Sequence, residues 1–441
     1  MAENKRVTPP PLWRRLDKPL LSFFKVHWVP LLLAVALVPT VFSVIKLAYA
    51  HPIGYTSIGS HYYFVGFETG FGGRKLLGTI FHWILPAYAT WSNLRPYIIC
   101  VNFITILLFV TFVGMLFARM KGNDMKGGLL LLLCYMLGPY SIIGMVDSWI
   151  SITFPELWHF MLTLLWLLLY LASPRRWYYY LATLLITTTA ILIHHTYCCT
   201  FFPLMAGLML YDSFGEGRIE RRKAMPYAAI ALGLFALFLC LWLFSGMNIS
   251  KEDLWTLLES RASNDANTVY DYALTEYYYS SNYENWRHAY ANPIVWKTKV
   301  LEFVFTVLLM SPLFVLMLWP WFSVAHKQTD ARARWFYLAV GLLPTLLTLP
   351  VFVMAADYGR FWVAYSLTLF AQPLAVAAQG DKQIRNALGG MWRLFLHKPA
   401  VPIIVAIYLS QLSPSTPPDY GVGLGLQWGL DLQNMLIPSP K

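Results

Sequence analysis

The chain has 441 residues, of which 58% are hydrophobic and only 12% charged. Soluble domains carry roughly a quarter charged residues, so this composition excludes a water-soluble protein of two or three domains. The net charge of +11 does not point to nucleic acid, because Lys and Arg lie in short connections between apolar runs and form no aromatic-interleaved basic face.

From the N-terminus, residues 1–28 are polar and basic and no small-residue cleavage site follows the first apolar run, which predicts a retained cytoplasmic tail rather than a cleaved signal. Apolar runs then recur at 29–49, 96–117, 128–147, 155–173, 177–194, 198–213, 226–246, 301–323, 335–355, 361–379 and 400–412. Most are long enough to cross ~30 Å of hydrocarbon as a helix. Residues 177–213 form one nearly unbroken run between Arg175–Arg176 and Arg218–Lys223. A single helix of that length would be about 55 Å long, so the run must cross twice and turn near His194–Tyr197. Most Lys and Arg fall in alternate connections, and by the positive-inside rule those connections are cytoplasmic. The expected fold is all-α, a polytopic transmembrane bundle of about eleven spans over 29–412, with a cytoplasmic N-terminus. A Pro-rich tail at 413–441 is expected on the periplasmic side. The five cysteines lie in apolar runs and show neither a disulfide framework nor zinc spacing.

Two outer connections are longer than topology requires. In 50–95, the stretch Leu76–Trp91 suits a helix lying in the membrane interface. In 247–300, Trp255, Tyr277, Tyr278, Tyr279, Trp286 and other aromatics form either a headgroup belt or stacking faces for sugar rings.

Ionisable groups at the membrane are costly, so each outer cluster invites a functional hypothesis. In Gly66–Gly78, the acid Glu68 precedes a Gly-rich turn and then Arg74 and Lys75. Glycines let backbone N–H groups approach an anion, Arg grips phosphate with two parallel bonds, and Lys adds a point charge. The plainer alternative is a flexible loop touching lipid headgroups. In Asp357–Trp362, Asp357 and Arg360 either lock a helix junction together or bind phosphate, with the acid orienting the arginine. Asp147 with Glu156 and His159 forms a third cluster; Pro155 and Glu156 at a helix start are also ordinary capping chemistry. His194 and His195 are candidate general bases or phosphate partners, or simply a polar hairpin tip. No spacing suggests a metal, and no cofactor is expected.

A cytoplasmic N-terminus, a first span and a large first outer loop with an acid and an interfacial helix resemble the C-type glycosyltransferase superfamily. The layout is similar to that of the multi-pass polymerases and ligases of bacterial surface polysaccharides, including O-antigen polymerases. The Phe71–Gly78 and Asp357–Trp362 segments resemble a motif pair in such membrane proteins. The resemblance implies an enzyme of the bacterial inner membrane that takes a polyprenyl-phosphate or pyrophosphate-linked sugar donor and a glycan or lipid-linked acceptor. Arg74, Lys75 and Arg360 would meet the phosphates. Glu68 would act as general base, with His194 or His195 as the alternative and Asp357, Asp147, Glu156 and His159 in support. The first outer loop has no Asp-x-Asp or Glu-x-Asp pair, so the expected reaction is metal-independent. The competing expectation is a flippase for lipid-linked saccharides or another transporter, which would line a path through both leaflets with charge. Here the ionisable residues crowd one face.

Overall fold

The computed structural model describes residues 62–84, 91–138, 140–142, 155–215, 218–262, 279, 293–354, 359–397 and 408. The helices are α1 (Leu76–Ile84), α2 (Trp91–Ala118), α3 (Gly122–Leu137), α4 (Glu156–Ala172), α5 (Trp177–Ile193), α6 (Phe202–Asp212), α7 (Arg221–Leu243), α8 (Lys251–Ala262), α9 (Pro293–Lys327), α10 (Ala331–Met354), α11 (Gly359–Ala378) and α12 (Lys382–His397). A two-residue ladder between Phe214–Gly215 and Arg218–Ile219 makes the turn between α6 and α7. Five helical segments are long and apolar enough to cross a membrane: Pro96–Ala118, Arg221–Leu243, Phe303–Lys327, Ala331–Val353 and Arg360–Ala378. Apart from that short ladder the described residues form a helical fold, and the chain is a multi-pass membrane protein. The expected spans at 29–49 and 400–412 lie outside the described residues, apart from Tyr408.

The expected spans at 155–173 and 177–194 are helices of 17 residues each. The run at 198–213 yields only an 11-residue helix, because a 3-10 turn at His195–Cys198 takes up its start. The chain nevertheless runs out and back over this stretch. Arg175, just before α5, pairs with Asp212 at the end of α6, Nε to Oδ2 at 2.6 Å. The two ends of the 177–212 run therefore lie together, and the turn at His194–Thr200 lies at the far end.

The centre of the bundle is α11, buried along its length between α2, α3, α4, α6, α9, α10 and α12. Its Ala and Ser residues let neighbouring backbones come close, the usual device where lipid gives no hydrophobic drive between helices. Two of its polar side chains find backbone acceptors: Thr368 Oγ1 donates to Ala364 O at 2.9 Å and Gln372 Nε2 to Val340 O at 2.7 Å.

The connections rich in Lys and Arg share one end of this bundle. Arg119 donates to Leu171 O, and Arg385 to both Ala377 O and Arg119 O. Asp381 accepts from Tyr211 and Tyr337 and caps α12 by accepting from the Gln383 and Ile384 N–H groups. Helix α12 itself was not foreseen, since its basic residues suggested a loop. It buries Ile384, Ala387, Leu388, Met391 and Phe395, an i, i+3, i+4, i+7, i+11 stripe, mainly against α3. The crossing is tight at Gly127, where a Cβ would stand 2.1 Å from Leu388 O. Gly127→Val should push α12 off α3, measurable as faster proteolysis after Lys382 or Arg385 in membranes, whereas Gly389→Ala, with its nearest atom at 3.4 Å, should not.

Candidate functional site

At the opposite end, a small second core sets the site. Tyr62, Tyr63, Phe64 and Val65 pack with Leu77 and Phe81 of α1, Ile98 of α2, Ile193 of α5 and Leu254 of α8. The Gly-rich loop folds back over α1 on this platform. A Cβ on Gly78 would meet Val65 O at 2.1 Å, so the two backbones touch. Thr79 knits the loop down by accepting from Phe67 N at 2.7 Å and donating to Lys75 O at 2.9 Å. Gly70, at φ 132°, takes a conformation that residues with a side chain rarely adopt.

The segment after α7 straps the loop in place. Gly246 N donates to Phe71 O and Asn248 N to Thr69 O, both at 2.8 Å, in antiparallel sense. Lys75 Nζ, almost wholly buried, donates to Gly246 O at 3.1 Å and lies 3.2 Å from Met247 Sδ. Burial lowers its pKa to about 8, against a smaller opposing effect of Glu68. Lys75 therefore ties the strap to the loop. Glu68 sits exposed on the 3-10 turn Phe67–Thr69, with Oε1 accepting from Gly66 N at 3.1 Å.

Arg74 points the other way. It is the one non-glycine residue with positive φ among the described residues, at 71°, a conformation that costs an L-residue about 1–2 kcal/mol. Its Nε donates to His194 Nε2 at 2.9 Å, and its guanidinium carbon lies 6.0 Å from the centre of the Tyr62 ring. His195 packs against Phe238 and Trp242 of α7 and under Gly73, where a Cβ would stand 2.9 Å from its Nδ1. Burial, then the charges of Arg74 and His159, push the His195 imidazole down to about 3, so it stays neutral.

Arg360 enters from the start of α11. Its Nη1 pairs with Glu156 Oε1 at 2.8 Å, and both side chains are largely buried, 11% and 2% exposed. His159, one turn along α4 from Glu156, holds Ala190 O through Nε2 at 2.9 Å and faces the His194 ring at 6.3 Å. That bond puts the ring proton on Nε2 and leaves Nδ1 an acceptor. Both His159 Nδ1 and Glu156 Oε2 are buried without a hydrogen-bond partner among the described residues. His194 thus stands between Arg74, which donates to it at 2.9 Å, and His159, one turn from the acid that holds Arg360.

The structure thus gathers Arg74, His194, His195, His159, Glu156 and Arg360 at one end of the bundle, from four places in the sequence. Lys75 adjoins them but faces the strap, and Glu68 stands on the exposed turn. Asp147 and Asp357 lie outside the described residues. Glu156 proves more than a helix cap, since its partner is 204 residues away. The strap 245–248 and Thr196, which holds His194 at 2.8 Å, carried no sequence signal beyond a glycine after an apolar run and a polar residue in a turn. No group of three or more metal-ligating residues exists among the described residues.

No family model matches the chain, and no curated protein or solved structure matches it either. Fold and site by themselves define the class: a multi-pass helical membrane protein with two arginines and three histidines drawn together at the end opposite its basic connections.

Proposed function

We propose that this chain crosses the bacterial inner membrane about eleven times, N-terminus in the cytoplasm, and transfers a sugar from a polyprenyl-phosphate or pyrophosphate donor at the outer face. The observation that carries the proposal is a chain of contacts between the two arginines: Arg74 on His194, His194 beside His159, and His159 one turn from Glu156, which holds Arg360, at the end away from the Arg119, Arg175 and Arg385 connections. Two guanidinium groups fixed in a partly dry site are what an anionic leaving group needs, because they stabilise charge that grows as the bond to phosphate breaks. In the reaction, the bond from the sugar's anomeric carbon to the phosphate oxygen breaks and its electron pair stays on the phosphate. The acceptor hydroxyl oxygen bonds to that carbon and gives up its proton. In this reading Glu68, exposed on the Gly-rich turn, is the group that takes that proton.

The test is Arg74→Gly, which removes the guanidinium and also relieves the left-handed backbone, so that misfolding does not confuse the result. Surface-glycan formation should fall by about 100-fold or more at unchanged membrane abundance. Undiminished glycan in that variant would show that no phosphate is gripped there. Retained binding of a lipid-linked saccharide with loss of its movement between leaflets in proteoliposomes would instead favour a flippase.

A further inference from the structure

We propose that His194 is a positioning residue, the acceptor that aims Arg74 at an anionic lipid headgroup, and that Thr196 fixes the imidazole tautomer this requires. The proposal rests on the function proposed above and assigns His194 a role other than general base.

The proton count settles the tautomer. Arg74 Nε always carries a hydrogen, so His194 Nε2, 2.9 Å away, must offer a lone pair. A neutral ring then carries its proton on Nδ1. That proton has an acceptor in Thr196 Oγ1, at 2.8 Å. The Thr196 backbone N–H also approaches Nδ1, at 3.1 Å, and would favour the other tautomer. In that tautomer, however, the proton on Nε2 would face the Arg74 N–H with no acceptor. The charge-assisted bond is also the stronger of the two. Only one assignment leaves the ring proton with an acceptor, and it is the one that holds Arg74.

Two consequences follow. With Nε2 bonded to Arg74 and Nδ1 protonated, neither nitrogen of His194 can take a proton while Arg74 is in place. With Nε tied to His194, a two-pronged grip on a phosphate through Nε and one Nη is excluded. The left-handed backbone at Arg74 fits the same picture, since strain of this kind persists where the surroundings over-determine a side chain's direction.

The experiment uses the full-length chain in lipid nanodiscs and measures binding of a polyprenyl monophosphate, with inorganic phosphate run alongside. His194→Leu and Thr196→Val should each weaken lipid binding, the first by about tenfold or more, the value of a hydrogen bond to a charged group. His194→Gln, whose amide oxygen can accept from Arg74, should restore most of what His194→Leu loses, in binding and in cellular glycan formation alike. Thr196→Ser should likewise restore what Thr196→Val loses. A His194→Gln variant that binds the lipid but forms no glycan would make His194 a base and overturn the proposal. So would equal losses in His194→Gln and His194→Leu. Tighter binding of the lipid than of inorganic phosphate is expected, and the reverse would overturn the lipid as the anion's source. If Arg74→Gly binds as wild type does, the phosphate-site reading itself fails, a result distinct from failure at His194.

Discussion

Arg360→Ala should remove most folded protein from the membrane, at a cost of about 3–5 kcal/mol, the usual penalty for stranding one member of a buried ion pair. Glu156 is nearly inaccessible, and its Oε1 is held by Arg360 at 2.8 Å. Its Oε2 already lacks a hydrogen-bond partner among the described residues. Deleting the guanidinium leaves a buried carboxylate without the counter-charge that held it. Removing both charges should cost far less, because an apolar pair of similar volume avoids the desolvation that the ion pair bears. Thermal unfolding in nanodiscs should therefore rank wild type and Glu156→Leu/Arg360→Met close together, with Arg360→Ala well below. The double variant should still form no surface glycan, since its phosphate-facing charge is gone. A stable, abundant Arg360→Ala protein would mean that the pair is not desolvated as the structure has it.

The same pair shows where sequence reasoning stops. Helices α7, α9, α10 and α11 were legible because each is an apolar run long enough to cross a membrane by itself. The turn at His194–Tyr197 was legible because two basic flanks forced an even number of crossings, and Arg175–Asp212 closes that hairpin. Helix α12 was missed although Ile384, Leu388, Met391 and Phe395 carry a helical period. Its Lys and Arg dominated the pattern, and only the partner surface on α3 explains the apolar stripe. Glu156 had a sufficient local explanation as an acid after Pro155, so its tie to Arg360 was invisible. Arg74 was singled out for its charge. Its positive φ and its bond to His194 depend on a fold-back of Val65 over Gly78 and on a strap from after α7, and the strap and the His194 bond join residues more than a hundred positions apart. Local chemistry marks candidates; long-range packing decides which of them meet.

At the other end of the bundle, Asp212→Asn is expected to be the most damaging conservative change, at about 2–3 kcal/mol. That estimate is discounted from the penalty for breaking a fully buried pair, because Arg175 keeps 24% exposure and solvent screens the charge left behind. Asp212 collects three donors: Arg175 Nε at 2.6 Å, Tyr227 OH at 2.8 Å and Tyr170 OH at 3.0 Å. The carboxylate accepts from all three at once. An asparagine is neutral and offers one oxygen: with that oxygen toward Arg175 and Tyr227, the NH2 group faces Tyr170, whose hydroxyl must turn from donor to acceptor, and the charge opposite Arg175 is gone. Arg175 also sits over the rings of Tyr170 and Tyr179, 4.3 and 4.7 Å from their centres, so losing its partner loosens α4, α5 and α7 together. The change lies at the far end from Arg74 and Arg360. It should therefore lower the unfolding temperature while leaving polyprenyl-phosphate affinity unchanged in the fraction that stays folded. Loss of affinity in proportion to the lost stability would show that the two ends are coupled through α4 and α5, and the hairpin would then be part of the site rather than its support.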